Sequence, residues 1–345
     1  MRERDEGAPA GRRVTAMDVA RAAGVSVSAV SRAFTPGASV SARTRARVMA
    51  AAAKLDYMPN ALARGLMTQR SNLIGIILTN FKNPLYLSVL DHFTHAIQQR
   101  GLRALVFNIS RGGDLTEAAR QILQYSVDGL IVSAGAISPL LAGQCARRQI
   151  PVVAFARNPR SKDIDVVCAD NVAGGRMAAR LLIERGYRRI GYLGGSAQAS
   201  TSQDRGKGLV GELEDAGLSL HCSVHASEYS YEAGRVAARA LLSMDEPPDA
   251  LFCANDVLAF GALDVARHRF GLSVPGQLGI VGFDDIGLAE ADSFSLTTVR
   301  QPIEEMVRET IALMMRRMEN PRLEPETRLL SCSLVERGTV RGPRL

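Results

Sequence analysis

Nowhere in the 345 residues does an apolar run approach the roughly 20 residues that a membrane-spanning helix needs, so the chain reads as soluble and globular. The charged start, Met1 to Gly7, leads into no apolar stretch, and no export signal is expected. The five cysteines (Cys145, Cys168, Cys222, Cys253 and Cys332) are odd in number, far apart and never in a C-x-x-C pair. This argues for core-filling thiols in a reducing compartment, the cytoplasm, and against a disulfide framework. Signatures of catalysis are missing as well. Gly191 to Gly195 follows a strand-like run but lacks the G-x-G-x-x-G order, Gly206-Lys207-Gly208 is no phosphate loop, and neither a nucleophile elbow nor an H-E-x-x-H pair occurs. His221 and His225 flank Cys222 with no further ligand nearby, and His92 and His95 sit among polar neighbours. No metal or other cofactor is expected, and the chain reads as non-enzymatic.

What is present is charge in one place. The net charge is +7, and residues 1 to 70 hold 12 Lys and Arg against 5 Asp and Glu, leaving 30 against 30 for the rest. A basic segment joined to a neutral body is the electrostatic footprint of a polyanion binder.

That basic segment contains two short helices. Thr15 is placed to cap a helix over Ala16 to Ala23, Gly24 tolerates the left-handed conformation that ends it, and Ser26 caps a second helix running to Phe34. A small residue, Ala20, stands where two helices crossing over a tight turn would touch. Val19, Val25 and Val30 are expected to bury between them, leaving Val27, Ser28 and Arg32 on an exposed face that fits a DNA major groove. Arg32 is the expected base reader, since a guanidinium can donate two hydrogen bonds to guanine. A third helix opens at Ser41 with Val48, Ala52 and Leu55 inward and Arg43, Arg45 and Arg47 near its start. Residues 1 to 13 show no periodicity. Asn60 could cap a brief helix from Ala61 to Met67, too short to persist alone.

From Val14 to Leu66 the chain resembles the DNA-binding head of the LacI/GalR (lactose-repressor) family. The matching residues include Thr15, Asp18-Val19-Ala20, Ala23-Gly24-Val25-Ser26, Val30-Ser31-Arg32, Thr44-Arg45 and Tyr57-Met58-Pro59-Asn60-Ala61-Leu62-Ala63. The resemblance implies a helix-turn-helix in which Thr15, Val27, Ser28, Ser31 and Arg32 meet DNA. It also implies a hinge helix, with Asn60, Ala63 and Leu66, that folds on the operator and wedges leucines into the minor groove. Gly65 departs from the better helix formers usual there.

Beyond Asn72 short apolar strands alternate with amphipathic helices. Strands are expected at Leu73 to Leu78, Arg103 to Phe107, Gly129 to Val132 and Val152 to Phe155, with helices at Leu85 to Gln99 and Leu115 to Tyr125. The series restarts with strands near Asp165, Ile190, Ala250 and Gly279 and helices at Gly174 to Arg185, Gly206 to Ala216, Tyr231 to Leu242 and Val257 to Phe270. Repeated βα units imply two doubly wound parallel-sheet lobes, with ligands beyond the carboxyl ends of the strands. The strand-end candidates are Thr79, Asn80, Phe81, Ser133 and Arg157 in one lobe and Asn255-Asp256 and Asp284-Asp285 in the other.

The family resemblance extends to about Gly338 through Asn83-Pro84-Leu85-Tyr86, Gln203 to Gly208, Ala254 to Gly261, Gly282 to Asp285 and Leu296 to Pro302. It implies a periplasmic-binding-protein-like body that binds sugars or nucleobases, with Arg205, Asn255 and Asp284 bonding the effector and Tyr86 and Gln301 at the wall. The family usually places Asp or Asn near Ala156. Here that group is missing and Arg157 follows, so two arginines face the cleft and a sugar acid or phosphorylated sugar is the expected effector.

The expected organisation is a leader over 1–13, a head over 14–58, a hinge and linker over 59–71, a two-lobed body over 72–338 and a tail over 339–345. The partners are double-stranded operator DNA, a small-molecule effector and a second copy, packed through the helices around Leu85 to Gln99 and Leu258 to Phe270. A periplasmic-type solute-binding protein would account for the body alone and predicts an export signal. A nucleotide-dependent dehydrogenase or kinase would require a phosphate loop.

Overall fold

The computed structural model describes residues 14–35, 37–58, 70–79, 81, 83–109, 115–133, 139–159 and 164–343. The chain divides into two compact units, Met1–Ser71 and Asn72–Leu345.

In the first unit three helices, α1 (Ala16–Ala23), α2 (Val27–Phe34) and α3 (Ala42–Lys54), enclose a small core of Val19, Ala20, Ala23, Val30, Ala33, Val48 and Ala52. The helix ends follow from local chemistry. Asp18 accepts from both the Thr15 amide (2.9 Å) and the Thr15 hydroxyl (2.7 Å), and Gly24 closes α1 at φ +57°. Ser26 accepts from Ala29 N at 3.2 Å, and Ser41 caps α3 through Thr44 N at 3.1 Å. Two arginines of α3 serve the fold: Arg47 Nη2 donates to Ala23 O at 2.6 Å, and Arg45 Nη1 donates to Ala33 O. Each satisfies a carbonyl near the end of another helix.

The second unit has two lobes, each a six-stranded sheet. Lobe 1 contains β1 (Leu73–Thr79), α4 (Leu85–Gln98), β2 (Arg103–Ile109), α5 (Leu115–Leu123), β3 (Gly129–Ser133), α6 (Pro139–Arg147), β4 (Val152–Phe155) and β5 (Asp165–Ala169). Lobe 2 contains α7 (Asn171–Glu184), β6 (Ile190–Gly194), α8 (Ser200–Asp215), β7 (Cys222–His225), α9 (Tyr231–Leu242), β8 (Ala250–Cys253), α10 (Asp256–His268), β9 (Gly279–Asp284) and β10 (Thr297–Arg300). The chain then returns to lobe 1 with α11 (Ile303–Glu319) and β11 (Thr327–Leu330), and crosses to lobe 2 with β12 (Ser333–Val335). The sheet orders are β11-β5-β4-β3-β1-β2, all parallel, and β12-β10-β9-β8-β6-β7, parallel except for the β10–β12 pair. The lobes are therefore joined by three short crossovers, after β5, β10 and β11.

Strands buried on both faces read as continuous apolar runs, as in Leu130 to Val132 or Ala250 to Cys253, because helices cover each side of a parallel sheet. The body does not end at Gly338. Thr339 and Val340 are buried, Thr339 Oγ1 accepts from Thr297 N at 2.9 Å, and Arg341 stacks on the Tyr187 ring at 4.3 Å, so residues 339–341 of the expected tail pack on lobe 2. Of the two helices expected to hold a second copy, α4 exposes Leu87, whereas α10 buries Leu258, Phe260, Leu263 and Val265 inside its own lobe. Phe270, just beyond the end of α10, is exposed, as are Tyr231 and Val236 on α9 and Leu288.

Candidate functional site

Six of the eight residues expected at the effector site converge. Tyr86, Arg157, Arg205, Asn255, Asp284 and Gln301 line one cavity between the lobes, together with Asn83, Leu85, Ala156, Thr201 and Tyr229. These residues follow the carboxyl ends of β1, β4, β6, β7, β8, β9 and β10, which is where a doubly wound sheet leaves its crevice.

Asp284 is the hub. It ends β9 at φ +118°, and Asp285 follows at φ +58°, so two non-glycine residues are held in the left-handed half of conformational space. Three groups converge on its carboxylate. Gln301 Nε2 donates to Oδ1 at 2.7 Å, Asn83 Nδ2 of lobe 1 donates to Oδ2 at 3.3 Å, and Arg205 Nη1 lies 3.6 Å from Oδ1. Burial pushes the Asp284 pKa up; the charge of Arg205 and the bonds from Asn83 and Gln301 oppose it. Behind it lies Asp256, wholly buried, accepting from Ile286 N at 2.9 Å and from the Thr298 hydroxyl at 2.5 Å. Burial raises its pKa well above the ordinary carboxylate range, and the Asp284 charge adds to this.

Arg205 is fixed on every side. Its Nε donates to Asn171 Oδ1 at 2.8 Å, its Nη1 donates to Ala254 O, and its guanidinium lies 3.5 Å from the Phe283 ring centroid. Asn255 caps α10 by accepting from Leu258 N at 3.0 Å, and its side chain also helps to hold the Asp284 pKa down. Arg157 is different. Burial acts to lower its pKa, but the phenols of Tyr86 and Tyr229 and a hydrogen bond to Tyr86 outweigh burial and raise it. Asp284, already engaged by Arg205, is the sole carboxylate among the described lining residues, which leaves the Arg157 charge without a counter-ion among them.

Ser133 is a correction. β3 runs one residue further than expected, so Ser133 is still a strand residue, paired with Leu78 and fully buried, and does not line the cavity. Asn80 lies outside the described residues. Sequence reasoning missed Asn171, Thr201, Tyr229 and Phe283 as site residues. Asn171 stands just beyond β5, so the strand-end argument applied to that strand would have found it; Tyr229 lies four residues beyond β7, and no pattern marks it.

In the first unit Val27, Ser28 and Arg32 are exposed on α2 and Thr15 is exposed at the start of α1, while Ser31 is half-buried. Asn60, Ala63 and Leu66 lie outside the described residues.

Against known proteins, residues 15–60 match the bacterial regulatory proteins of the lacI family, and residues 179–340 match a periplasmic binding protein-like domain. The HTH-type transcriptional repressor PurR of Yersinia enterocolitica is 32% identical over 297 residues, 85% of this chain and 87% of that one. The chain belongs to the lacI family of bacterial regulatory proteins. Among solved structures, the lac repressor dimer bound to operator and the anti-inducer ONPF is 25% identical with a TM-score of 0.86, covering 96% of this chain and 100% of that one. The transcriptional regulator CelR in complex with cellobiose is 29% identical with a TM-score of 0.72, covering 95% and 100%. This lacI-family chain is thus a DNA-binding transcription repressor under the control of a small-molecule effector, not an enzyme. Among its described residues no helix is long and apolar enough to cross a membrane.

Proposed function

We propose that this repressor acts in the cytoplasm as a homodimer on a pseudo-palindromic operator and that its effector is an acid-bearing sugar gripped by Arg157. On the DNA side, Val27, Ser28, Ser31 and Arg32 would enter the major groove and Thr15 would meet the backbone, with Asn60, Ala63 and Leu66 in the minor groove. Leu87 on α4 and Tyr231 and Val236 on α9 offer exposed apolar surface for the second copy.

The observation that carries the effector reading is Arg157, a cation on the cavity wall beside two phenols, with no carboxylate left to pair with it among the described lining residues. An acid group would supply charge-assisted hydrogen bonds there, while Asp284, Asn255 and Gln301 offer acceptors and donors to hydroxyls.

The cavity holds only about 30 Å³, room for about one water and not for a sugar. The effector must therefore part the two lobes or displace side chains, and the Asn83–Asp284 bond between them is the first contact at risk. That differential contact is what lets ligand binding bias a lobe equilibrium, with coupling typically about 1–3 kcal/mol.

Calorimetric titration with gluconate against glucose and galacturonate against galactose tests this. The acid of a pair is expected to bind about tenfold or more tightly, with the preference lost in Arg157→Met. Tighter binding of the neutral sugar would overturn the reading.

A further inference from the structure

We propose that the body carries a DNA-contacting surface of its own, the rim of lobe 1 at the amino ends of its strands, where Arg100, Arg103, Arg120, Arg147 and Arg148 bind phosphates of the duplex flanking the site read by α2. The inference rests on the DNA-binding reading of the head.

The rim is defined by backbone hydrogen bonds. Arg103 N donates to Asn72 O and Asp128 N to Leu73 O, both at 2.8 Å, and Leu130 N donates to Pro151 O at 2.9 Å, which sets the starts of β1, β2, β3 and β4 in one row. Helices α4, α5 and α6 all end there. All five arginines are exposed, and Arg120, Arg147 and Arg148 line a groove of about 640 Å³ with Leu123, Gln124 and Gln144 and no carboxylate.

Their ties within the lobe are weak. Arg100 Nη1 donates to Ala96 O at 3.0 Å, Arg148 Nη1 to Leu123 O at 3.4 Å, and Arg120 pairs with Glu117 on the open surface. A guanidinium has five donor hydrogens, so most remain available to a ligand.

Arginines at helix ends also satisfy the helix dipole, and this alternative has to be met. Lobe 2 meets it, because its corresponding rim is built in the same way from the last turns of α8, α9 and α10, which follow β6, β7 and β8 as α4, α5 and α6 follow β1, β2 and β3. Residues 95–103, 120–128 and 144–151 of lobe 1 hold five arginines against Asp128 alone, whereas residues 212–221, 239–249 and 265–279 of lobe 2 hold three arginines against six acids. Dipoles act equally on both, so they do not explain the excess on one. The neutral sum over the body conceals this split.

The occupant is a duplex and not an acidic protein because of where the chain enters. Asn72 lies on this rim, and the 13 residues from 59 to 71 reach at most roughly 45 Å when extended. Any duplex held by the head is tethered within range of five exposed guanidinium groups.

The test uses the full-length protein and a random-sequence duplex of about 60 base pairs, with anisotropy titrations from about 0.05 to about 0.3 M salt. Each phosphate contact contributes about 0.9 to the slope of log affinity against log salt. The triple variant Arg103→Gln/Arg147→Gln/Arg148→Gln is expected to lose about 1 to 3 in slope and about tenfold or more in affinity at about 0.1 M salt, with an unchanged thermal midpoint. The single variant Arg103→Gln, expected to lose about 1, serves if the triple variant is unstable. A variant slope equal to that of the wild type would overturn the rim while leaving the head intact. No duplex binding by the wild type would overturn both.

Discussion

At the scale of single residues, the cleft is governed by carboxylates placed where water cannot reach them. Asp284 holds Gln301, Asn83 and Arg205 in one cluster, and Asp256, accepting from Ile286 N and Thr298, pins the strained turn that presents it. Because burial raises the pKa of Asp256, the folded chain holds that proton where the unfolded chain has lost it. Its contribution to stability is present at low pH and declines as pH rises through the ordinary carboxylate range toward the raised value. Asp256→Asn removes the ionisation and keeps one acceptor. It should therefore gain stability relative to the wild type over that window. Urea unfolding of both proteins from about pH 4 to about pH 8 measures the difference, in which the opposite effects of Glu212 and Glu326, whose pKa values are lowered by arginine partners, cancel. Parallel curves would contradict the placement of Asp256.

At the scale of elements, the decisive contact is between α7 and α8. A Cβ on Gly208 would lie 2.0 Å from Val172 O, and one on Gly175 would lie 2.1 Å from Arg205 O, so the two backbones touch where Arg205 and Asn171 are positioned. Gly208→Ala should force the helices apart, cost about 1–3 kcal/mol in urea unfolding and weaken sugar-acid binding by calorimetry, while DNA binding persists. Unchanged affinity and stability would show that the crossing does not set the site. Much at this scale was legible. The caps at Ser26, Gly24 and Ser41 and the 3–4 repeat of Val48, Ala52 and Leu55 mark the head helices because those signals are local. Strand-end reasoning found Arg157, Asn255 and Asp284 for the same reason. What local patterns do not carry is exchange between lobes. α11 shows a clear repeat of Met306, Thr310, Leu313 and Met314, yet nothing in it says that this helix packs on the first sheet after following a strand of the second. Ser133 was misplaced because a run buried on both faces gives no sign of its last residue, and Arg45 and Arg47, which lie among the basic residues of the head, turn out to cap neighbouring helices.

Across the whole molecule, a basic three-helix reader is joined in sequence to a two-lobed body whose cavity holds only about 30 Å³. Net charge located the reader, with the full excess of +7 in the first 70 residues, but it hid the basic rim of lobe 1 behind the acids of lobe 2. Control of DNA affinity then requires only that ligand and operator prefer different arrangements of the lobes. The central claim is that α2 reads sequence, and it is tested most directly by selecting duplexes from a random pool with the full-length protein in the presence of heparin, beside the variant Arg32→Ala. The wild type is expected to yield a two-fold symmetric consensus, and the variant to weaken or lose guanine at the position Arg32 reads. Recovery of no enriched sequence by the wild type, or of the same consensus at the same strength by both proteins, would contradict it.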